Sequence, residues 1–300
     1  MMLFELGEDE LETLLEILKY ILFGTNVILF LFAGLIFLTS SLNEESRPLS
    51  AVALQRRALI VTAHPDDESM FFLPLVHSLQ QSPKDNNDVW QIHLLCLSQG
   101  NFDGLGDVRV KELKASASYI GLSSGHINVL EDFKLQDGMM KQWEVSYIAK
   151  IVTKYIEEHT IDTVFTFDDY GVSGHPNHIA SYYGVSQAIR ELEHKCSAAT
   201  ASDNTRIVRG WALQSTNILR KYLGVLDMAL SYWESRGTKQ HFVFVFRPRW
   251  NYNAMALHRS QFVWYRRLFV IFSRYTFINT FRSMSSIDTN STAAERKKLQ

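Results

Sequence analysis

Cysteine is scarce in this sequence, with two in 300 residues: Cys96 inside an apolar run and Cys196 in a polar stretch. Neither has a Cys or His neighbour at zinc-finger spacing, which excludes a disulfide framework. A domain facing a reducing compartment fits this scarcity. An excess of one charge is lacking too, since 30 Lys and Arg against 32 Asp and Glu leave a formal net charge of −2. Without a basic surplus, a nucleic-acid partner is set aside. No internal repeat is visible, and the length suits one large domain with appendages.

Basic residues are also missing where a cleaved signal peptide needs them. Glu5, Glu8, Asp9, Glu10, Glu12 and Glu16 precede the first apolar run, against a lone Lys19. That run, Tyr20 to Leu38 (YILFGTNVILFLFAGLIFL), carries no charged side chain and is long enough to cross a bilayer, which takes roughly 20 residues. The expectation is an acidic segment over 1–19 and a retained transmembrane anchor over 20–38. Lys19 stands alone before the span, whereas Arg47, Arg56 and Arg57 follow it, so the positive-inside bias places the large domain in the cytosol. Residues 39–57 are polar, contain Pro48 and read as a linker. A catalytic domain over 58–284 and a polar tail over 285–300 complete the division.

Within the domain, short apolar runs alternate with helical periodicity. Ala58 to Thr62 reads as a buried strand ending in His-Pro-Asp-Asp. Met70 to Gln81 is predicted as a helix, Trp90 to Leu97 as a second strand, and Asp107 and Gly121 as the cap and end of the next helix. Ile127 to Leu130 is the third strand; Ile148, Ile151, Val152, Tyr155 and Ile156 mark the core face of the helix after it. Thr163 to Phe167 is the fourth strand and runs into the loop Asp168 to His178. After a polar loop over Ser197 to Asn204, strands are predicted near Val208 to Leu213 and Phe242 to Phe246. This order predicts an α/β fold, a doubly wound, mostly parallel, Rossmann-like sheet covered by helices.

In such a sheet, ligands bind beyond the carboxyl ends of the strands where the strand order reverses. The first and fourth strands flank that point, which would bring His64 to Glu68 beside His175 to His178. Two imidazoles and a carboxylate then meet, the donor pattern of a catalytic divalent metal with an open position. His-Pro-Asp-Asp alone also reads as a turn with capping carboxylates. Adjacent Asp66 and Asp67 repel each other unless a cation or a division of labour separates them, one binding metal and the other moving protons.

AHPDDE after a strand, followed later by HPNH, resembles the LmbE-like or PIG-L family of zinc-dependent N-deacetylases, which remove acetyl groups from N-acetylglucosaminyl compounds. The stretches LCLSQGNFDGLGDVRVKEL, RGWALQSTNILRKYLGVLD and MALHRSQFVWYRRLFVIFSRYTFINTF are similar to the eukaryotic branch of that family. The resemblance spans roughly Arg57 to Met284. It implies that His64, Asp67 and His178 hold the metal, expected to be Zn2+, that Asp66 is the general base, and that His175 steadies the oxyanion as an imidazolium. Glu68 would be supporting or structural. Asn177 stands where many bacterial relatives have Asp, so an orienting carboxylate is absent at that position. Arg109 and His258 match positions near the substrate, although Arg109 alone also reads as part of a solvated helix face and His258 as a capping or packing residue.

For the eukaryotic branch, the implied reaction is hydrolysis of the N-acetyl group of N-acetylglucosaminyl-phosphatidylinositol, giving glucosaminyl-phosphatidylinositol and acetate. This is the second step of glycosylphosphatidylinositol (GPI) anchor biosynthesis. A lipid-linked sugar explains an anchor, because confinement to one surface raises the effective concentration of enzyme near substrate. Phe262 to Phe281, dense in aromatics and arginines, reads as a core helix with snorkelling arginines or as an interfacial helix. Lys297-Lys298 near the end resembles a cytosolic dilysine retrieval signal, pointing to the endoplasmic reticulum membrane; a solvated tail is the alternative. A deacetylase of soluble amino-sugar conjugates and a non-catalytic membrane scaffold are the competing functions, and a scaffold has no need of Asp66 or the three ligands.

Overall fold

Seven strands form one sheet, in the order β3-β2-β1-β4-β5-β7-β6. They are β1 (Arg56–Thr62), β2 (Trp90–Cys96), β3 (Ile127–Val129), β4 (Thr163–Phe167), β5 (Arg209–Leu213), β6 (Gln240–Phe244) and β7 (Ile278–Ser283). The first five pair in parallel, and β7 runs antiparallel to both β5 and β6. The structure, a computed structural model, describes residues 13, 16–25, 27, 56–81, 90–198, 207–236 and 240–284. The chain divides into two compact units, Met1–Leu49 and Ser50–Gln300.

The helices of the larger unit are α1 (Asp67–Phe71), α2 (Leu73–Gln80), α3 (Gly106–Tyr119), α4 (Val145–His159), α5 (Gly171–Gly174), α6 (Pro176–Ala198), α7 (Ile218–Lys221), α8 (Met228–Arg236), α9 (Pro248–Ala256) and α10 (Trp264–Phe272). Central strands are continuous apolar runs because both their faces are covered: every residue of β4 is buried, as is Ala58 to Thr62 of β1. Ile148, Val152, Tyr155 and Ile156 of α4 are buried as their spacing predicts, and α4 packs along α6. At the end of α3, Gly121 takes φ +85°, and the Leu122 N–H closes back on the Ala117 carbonyl, the terminating geometry that glycine favours.

Chain order places the functional end of the sheet. From β1 the chain moves outward through β2 to β3, then returns to the other side of β1 with β4. The strand order therefore reverses between β1 and β4, and the loops leaving their carboxyl ends border the resulting crevice.

Several expectations are corrected. The helix predicted over Met70 to Gln81 is two helices, broken at Phe72, with Pro74 in the first turn of α2. Proline has no N–H for the preceding turn, which favours a new helix start there. Buried Asn279 of β7 satisfies the break, donating to the Phe71 carbonyl and accepting from the Leu75 N–H. Asp107 lies in the first turn of α3 instead of capping it. Phe262 to Phe281 is not one helix: α10 ends at Phe272, and a 3-10 turn leads into β7. Arg56 and Arg57, assigned to the linker, begin β1.

In the N-terminal unit, residues 16–25 are helical and Ile17, Leu18, Ile21, Leu22 and Phe23 are exposed. Among the described residues, no helix is long and apolar enough to cross a membrane. Most of the expected span, nearly all of the linker, the tail and the dilysine lie outside the described residues.

Candidate active site

The strand β1 ends at Thr62, and the next four residues, Ala63 to Asp66, turn sharply into α1. Asp66 sits at φ +117°, a backbone region that side chains with a Cβ rarely adopt, and such strain concentrates at functional sites. The turn is held by Asp67: one carboxylate oxygen, Oδ2, accepts the N–H groups of Ala63 at 3.0 Å and His64 at 2.8 Å. Its other oxygen, Oδ1, lies 3.3 Å from His178 Nε2. Burial raises the Asp67 pKa, but contacts with His178 and His64 outweigh it and hold the carboxyl far below the usual range. For His178 the balance has the opposite sign: burial lowers it, Asp67 outweighs burial, and the imidazole is raised.

The second loop leaves β4. Asp168 accepts the N–H groups of Gly171 at 3.0 Å and Ser215 at 2.6 Å, tying the loop to the end of β5. Gly171 has φ +63°, and a Cβ there would lie 2.7 Å from His178 Cβ, so only glycine fits. This close approach lets His178 Nδ1–H donate to the Gly171 carbonyl at 3.1 Å. That bond fixes the ring orientation and turns Nε2 toward Asp67 Oδ1, the arrangement by which a second partner orients a metal-binding histidine.

His175 joins these side chains, its ring centroid 4.8 Å from that of His64. Its Nδ1 accepts the Asn177 N–H at 3.3 Å, leaving Nε2–H as the available donor. Burial, with His64 and His178 nearby, pushes its pKa down to about 4. His175 is therefore a neutral imidazole near pH 7, which corrects the expected imidazolium.

Among the described residues, His64, His175 and His178 each offer a ring nitrogen, all within 4.8 Å of one another. Asp67 joins them through Oδ1 at His178 and through Oδ2, 3.9 Å from His64 Nδ1. A closely spaced cluster of imidazoles around a buried carboxylate is a fitting donor set for a divalent transition metal. The expected trio of His64, Asp67 and His178 and the histidine trio share two members. The chemistry of Asp67, with one oxygen spent on the backbone and one facing His178, suits it to be the third.

A cavity of about 350 Å³ covers this cluster and is also lined by Asp66, Arg109, Asp137, Tyr265 and Arg266. Arg109 is buried, not on a solvated face; it donates to the carbonyls of Gly100 at 2.7 Å and Pro65 at 2.9 Å and reaches Asp66 at 3.5 Å. Its fit depends on Gly100, where a Cβ would meet the guanidinium at 2.5 Å. His258 does not line the cavity. Wholly buried, it pairs with Glu68 through Nε2 and Oε1 at 2.6 Å. Burial opposes both charges, but the pairing outweighs it, lowering the Glu68 pKa and raising that of His258. Glu68 also accepts the Asp66 N–H at 3.1 Å, so the pair supports the turn from behind.

Two residues escaped the sequence reading. Asp137, in the loop after β3, sits 3.0 Å from His64 Nε2 and 3.3 Å from Arg109. It supplies the orienting carboxylate that Asn177 does not. The buried Asn177 amide lies 3.0 Å from the same His64 Nε2. Arg266 of α10 contacts the Asp66 carboxylate. An Asp before Gly138 reads as a turn residue, and Arg266 reads as one of several basic residues in an aromatic run; neither pattern signals a site.

Fold and site define a class: mostly parallel α/β proteins with a histidine–carboxylate centre suited to a divalent metal at the switch point. Residues 59–189 match the family model described as PIG-L: GlcNAc-PI de-N-acetylase. The probable N-acetylglucosaminyl-phosphatidylinositol de-N-acetylase of Schizosaccharomyces pombe is 37% identical over 241 residues, covering 79% of this chain and 90% of the relative. The N-acetylglucosaminyl-phosphatidylinositol de-N-acetylase of Bos taurus is 38% identical over 229 residues, covering 75% and 82%. A solved N,N'-diacetylchitobiose deacetylase from Pyrococcus horikoshii shares the fold with a TM-score of 0.50 at 17% identity, over 76% of this chain and 83% of that one. The chain belongs to the PIG-L family of de-N-acetylases.

Proposed function

We propose that this protein hydrolyses the N-acetyl group of N-acetylglucosaminyl-phosphatidylinositol, releasing acetate and glucosaminyl-phosphatidylinositol, the second step of GPI-anchor biosynthesis. The observation that carries this reading is the convergence of His64, Asp66, Asp67, His175 and His178 on one cavity, in a chain whose relatives are named for that reaction.

His64, Asp67 and His178 would hold the metal, with Zn2+ favoured by the nitrogen-rich donors. When bound, it supplies a Lewis acid and an acidified water. The chain's own groups do the rest. Asp66, oriented by Arg109 and Arg266, takes the proton of the attacking water and returns it to the departing amine as the C–N bond breaks. The neutral His175 donates Nε2–H to the oxyanion as the carbonyl carbon becomes tetrahedral. Asp137 orients His64, and the buried Glu68–His258 pair holds the turn that presents Asp66 and Asp67. Arg109 braces the site and faces the cavity where the sugar sits.

The anchor over 20–38, a cytosol-facing domain over 58–284 and residence in the endoplasmic reticulum membrane belong to the same reading. They are supported by the uncharged run, the basic residues after it and the terminal dilysine. One experiment tests the activity: membranes bearing the protein are incubated with N-acetylglucosaminyl-phosphatidylinositol or the corresponding water-soluble sugar, with and without chelator. Chelator-sensitive amine release from the lipid is expected. Equal or greater release from the soluble sugar would favour a soluble-conjugate deacetylase, and no release from either would overturn the enzyme reading.

A further inference from the structure

Helix α10 carries an outward apolar stripe besides the apolar residues that it buries. Trp264, Leu268, Ile271 and Phe272 fall at i, i+4, i+7 and i+8, one stripe of a helix surface, and all four are exposed, Trp264 by 72%. The opposite side carries buried Phe269 and Val270 and the cation Arg266, which reaches inward to Asp66. The helix is thus apolar on its outward face as well as at Phe269 and Val270, and the outward stripe is left without an apolar neighbour among the described residues.

The surface continues beyond α10. Tyr222 lies edge-on to Phe269 with ring centroids 6.3 Å apart. The backbone at Gly224 approaches the last turn of α10 so closely that a Cβ there would meet the Phe272 carbonyl oxygen at 3.2 Å. Ile218, Leu219, Leu223 and Leu226, on α7 and the turn after it, are exposed as well. Single exposed apolar residues are ordinary on a protein surface, but a cluster across two adjoining elements is not.

We propose that the face formed by α10 and Ile218 to Leu226 rests on the surface of a lipid bilayer, with the mouth of the cavity at its edge. Composition favours lipid over protein. Neither α10 nor α7 contains an acidic residue, and nearby Asp227 is fully buried in ion pairs with Arg220 and Arg274. Arg267 is exposed beside the stripe, its guanidinium stacked on Phe262. Tryptophan and tyrosine at the headgroup level, apolar side chains below and arginine at the margin form the pattern of an interfacial helix on an anionic surface. Such a helix seats its apolar face roughly 5–10 Å into the boundary between headgroups and acyl chains. The cavity adjoins this layer: Tyr265 and Arg266 of the same helix line it, and exposed Phe102 and Met139 line it too. The proposal rests on the lipid-linked substrate reading, since a sugar whose acyl chains stay in the membrane would then enter beside α10 without leaving its leaflet.

The test uses the full chain reconstituted with vesicles of phosphatidylcholine and phosphatidylserine. An environment-sensitive fluorophore is placed on a cysteine at position 268 or 226 (Leu268→Cys or Leu226→Cys), both exposed sites where substitution leaves the core intact, and at exposed Lys154→Cys of α4 as control. Blue-shifted emission, quenched by nitroxide-bearing lipid, is expected at 268 and 226 but not at 154. Water-like emission at 268 and 226 in the presence of vesicles would overturn the proposal. A blue shift that follows protein concentration and ignores lipid would also overturn it, assigning the face to a second copy of the chain. The readout requires no turnover, so its failure is separate from failure of the de-N-acetylase reading.

Discussion

Asp137 provides the sharpest test of how the site is built, because the reading of the motifs assigned it no role. Its carboxylate lies 3.0 Å from His64 Nε2 and 3.3 Å from Arg109, and only 11% of the side chain is exposed, so solvent screens these contacts little. Burial raises its pKa, but the bond to His64 outweighs burial and keeps the group ionised. Asp137→Asn retains the shape and one acceptor oxygen while removing the charge. A charge-assisted bond is roughly twice as strong as a neutral one, and loss of a partner behind a metal-binding histidine costs about 10–100-fold in metal affinity or activity. Since Asn keeps a neutral bond, the lower end applies, about tenfold or ~1.4 kcal/mol. Asp137→Ala removes the bond entirely and should approach about 100-fold. Global stability should fall by only ~1 kcal/mol, because Arg109 retains the Gly100 and Pro65 carbonyls. Competition against a fluorescent chelator measures the affinity, and amine release measures turnover. Wild-type affinity and turnover in both variants would refute the assignment of Asp137 as the group that orients His64.

Other predictions address the remaining parts of the site and the core. Asp66→Asn should bind metal normally yet lose about 10²–10⁴-fold in turnover, the usual contribution of a general base, whereas His178→Ala should lose the metal; normal deacetylation by either contradicts the roles assigned. Gly171→Ala pairs a positive φ with a Cβ 2.7 Å from His178 Cβ, so at least ~1 kcal/mol of destabilisation is expected in denaturant titrations, together with weakened metal binding. Glu68→Gln strands His258 without its carboxylate in a fully buried site and should cost about 3–5 kcal/mol in the same titration. His93 has its pKa pushed down to about 4 by burial, His126, His159 and Arg57. Its folded pKa lies below the unfolded value of ~6.5, so the unfolded chain binds the extra proton between those values. The stability it contributes is therefore complete above about pH 6.5 and lost as pH falls toward 4, on the order of 1 kcal/mol after screening. Unfolding from pH 7 to 5 should steepen less in His93→Asn than in the parent, and identical slopes would count against this account.

Local order was legible wherever burial repeats a simple pattern. The run Thr163 to Phe167 is a strand with the predicted bounds, and α4 buries the stripe that its period-3.6 spacing marks. The alternation of such segments was enough to foresee a mostly parallel sheet with His64 to Glu68 and His175 to His178 at adjacent strand ends. Boundaries failed where a contact distant in sequence decides them. The break at Phe72 is stabilised by Asn279, more than 200 positions away, and Phe262 to Phe281 divides into helix and strand because β7 finds partners in β5 and β6.

By itself, then, the sequence determined which residue types meet at the first and fourth strand ends, since a parallel sheet with short loops leaves those ends little freedom. AHPDDE and HPNH carry their chemistry in consecutive residues and are visible as text. What the tertiary structure alone decided is how that chemistry is held. Asp137 reaches His64, Arg266 reaches Asp66, and His258 braces Glu68 instead of facing the cavity. Each is a single side chain brought in by a separate element, with no neighbouring residue to mark it. The charge state of His175 belongs with them, because the burial and neighbouring imidazoles that keep it neutral exist only once the loops converge.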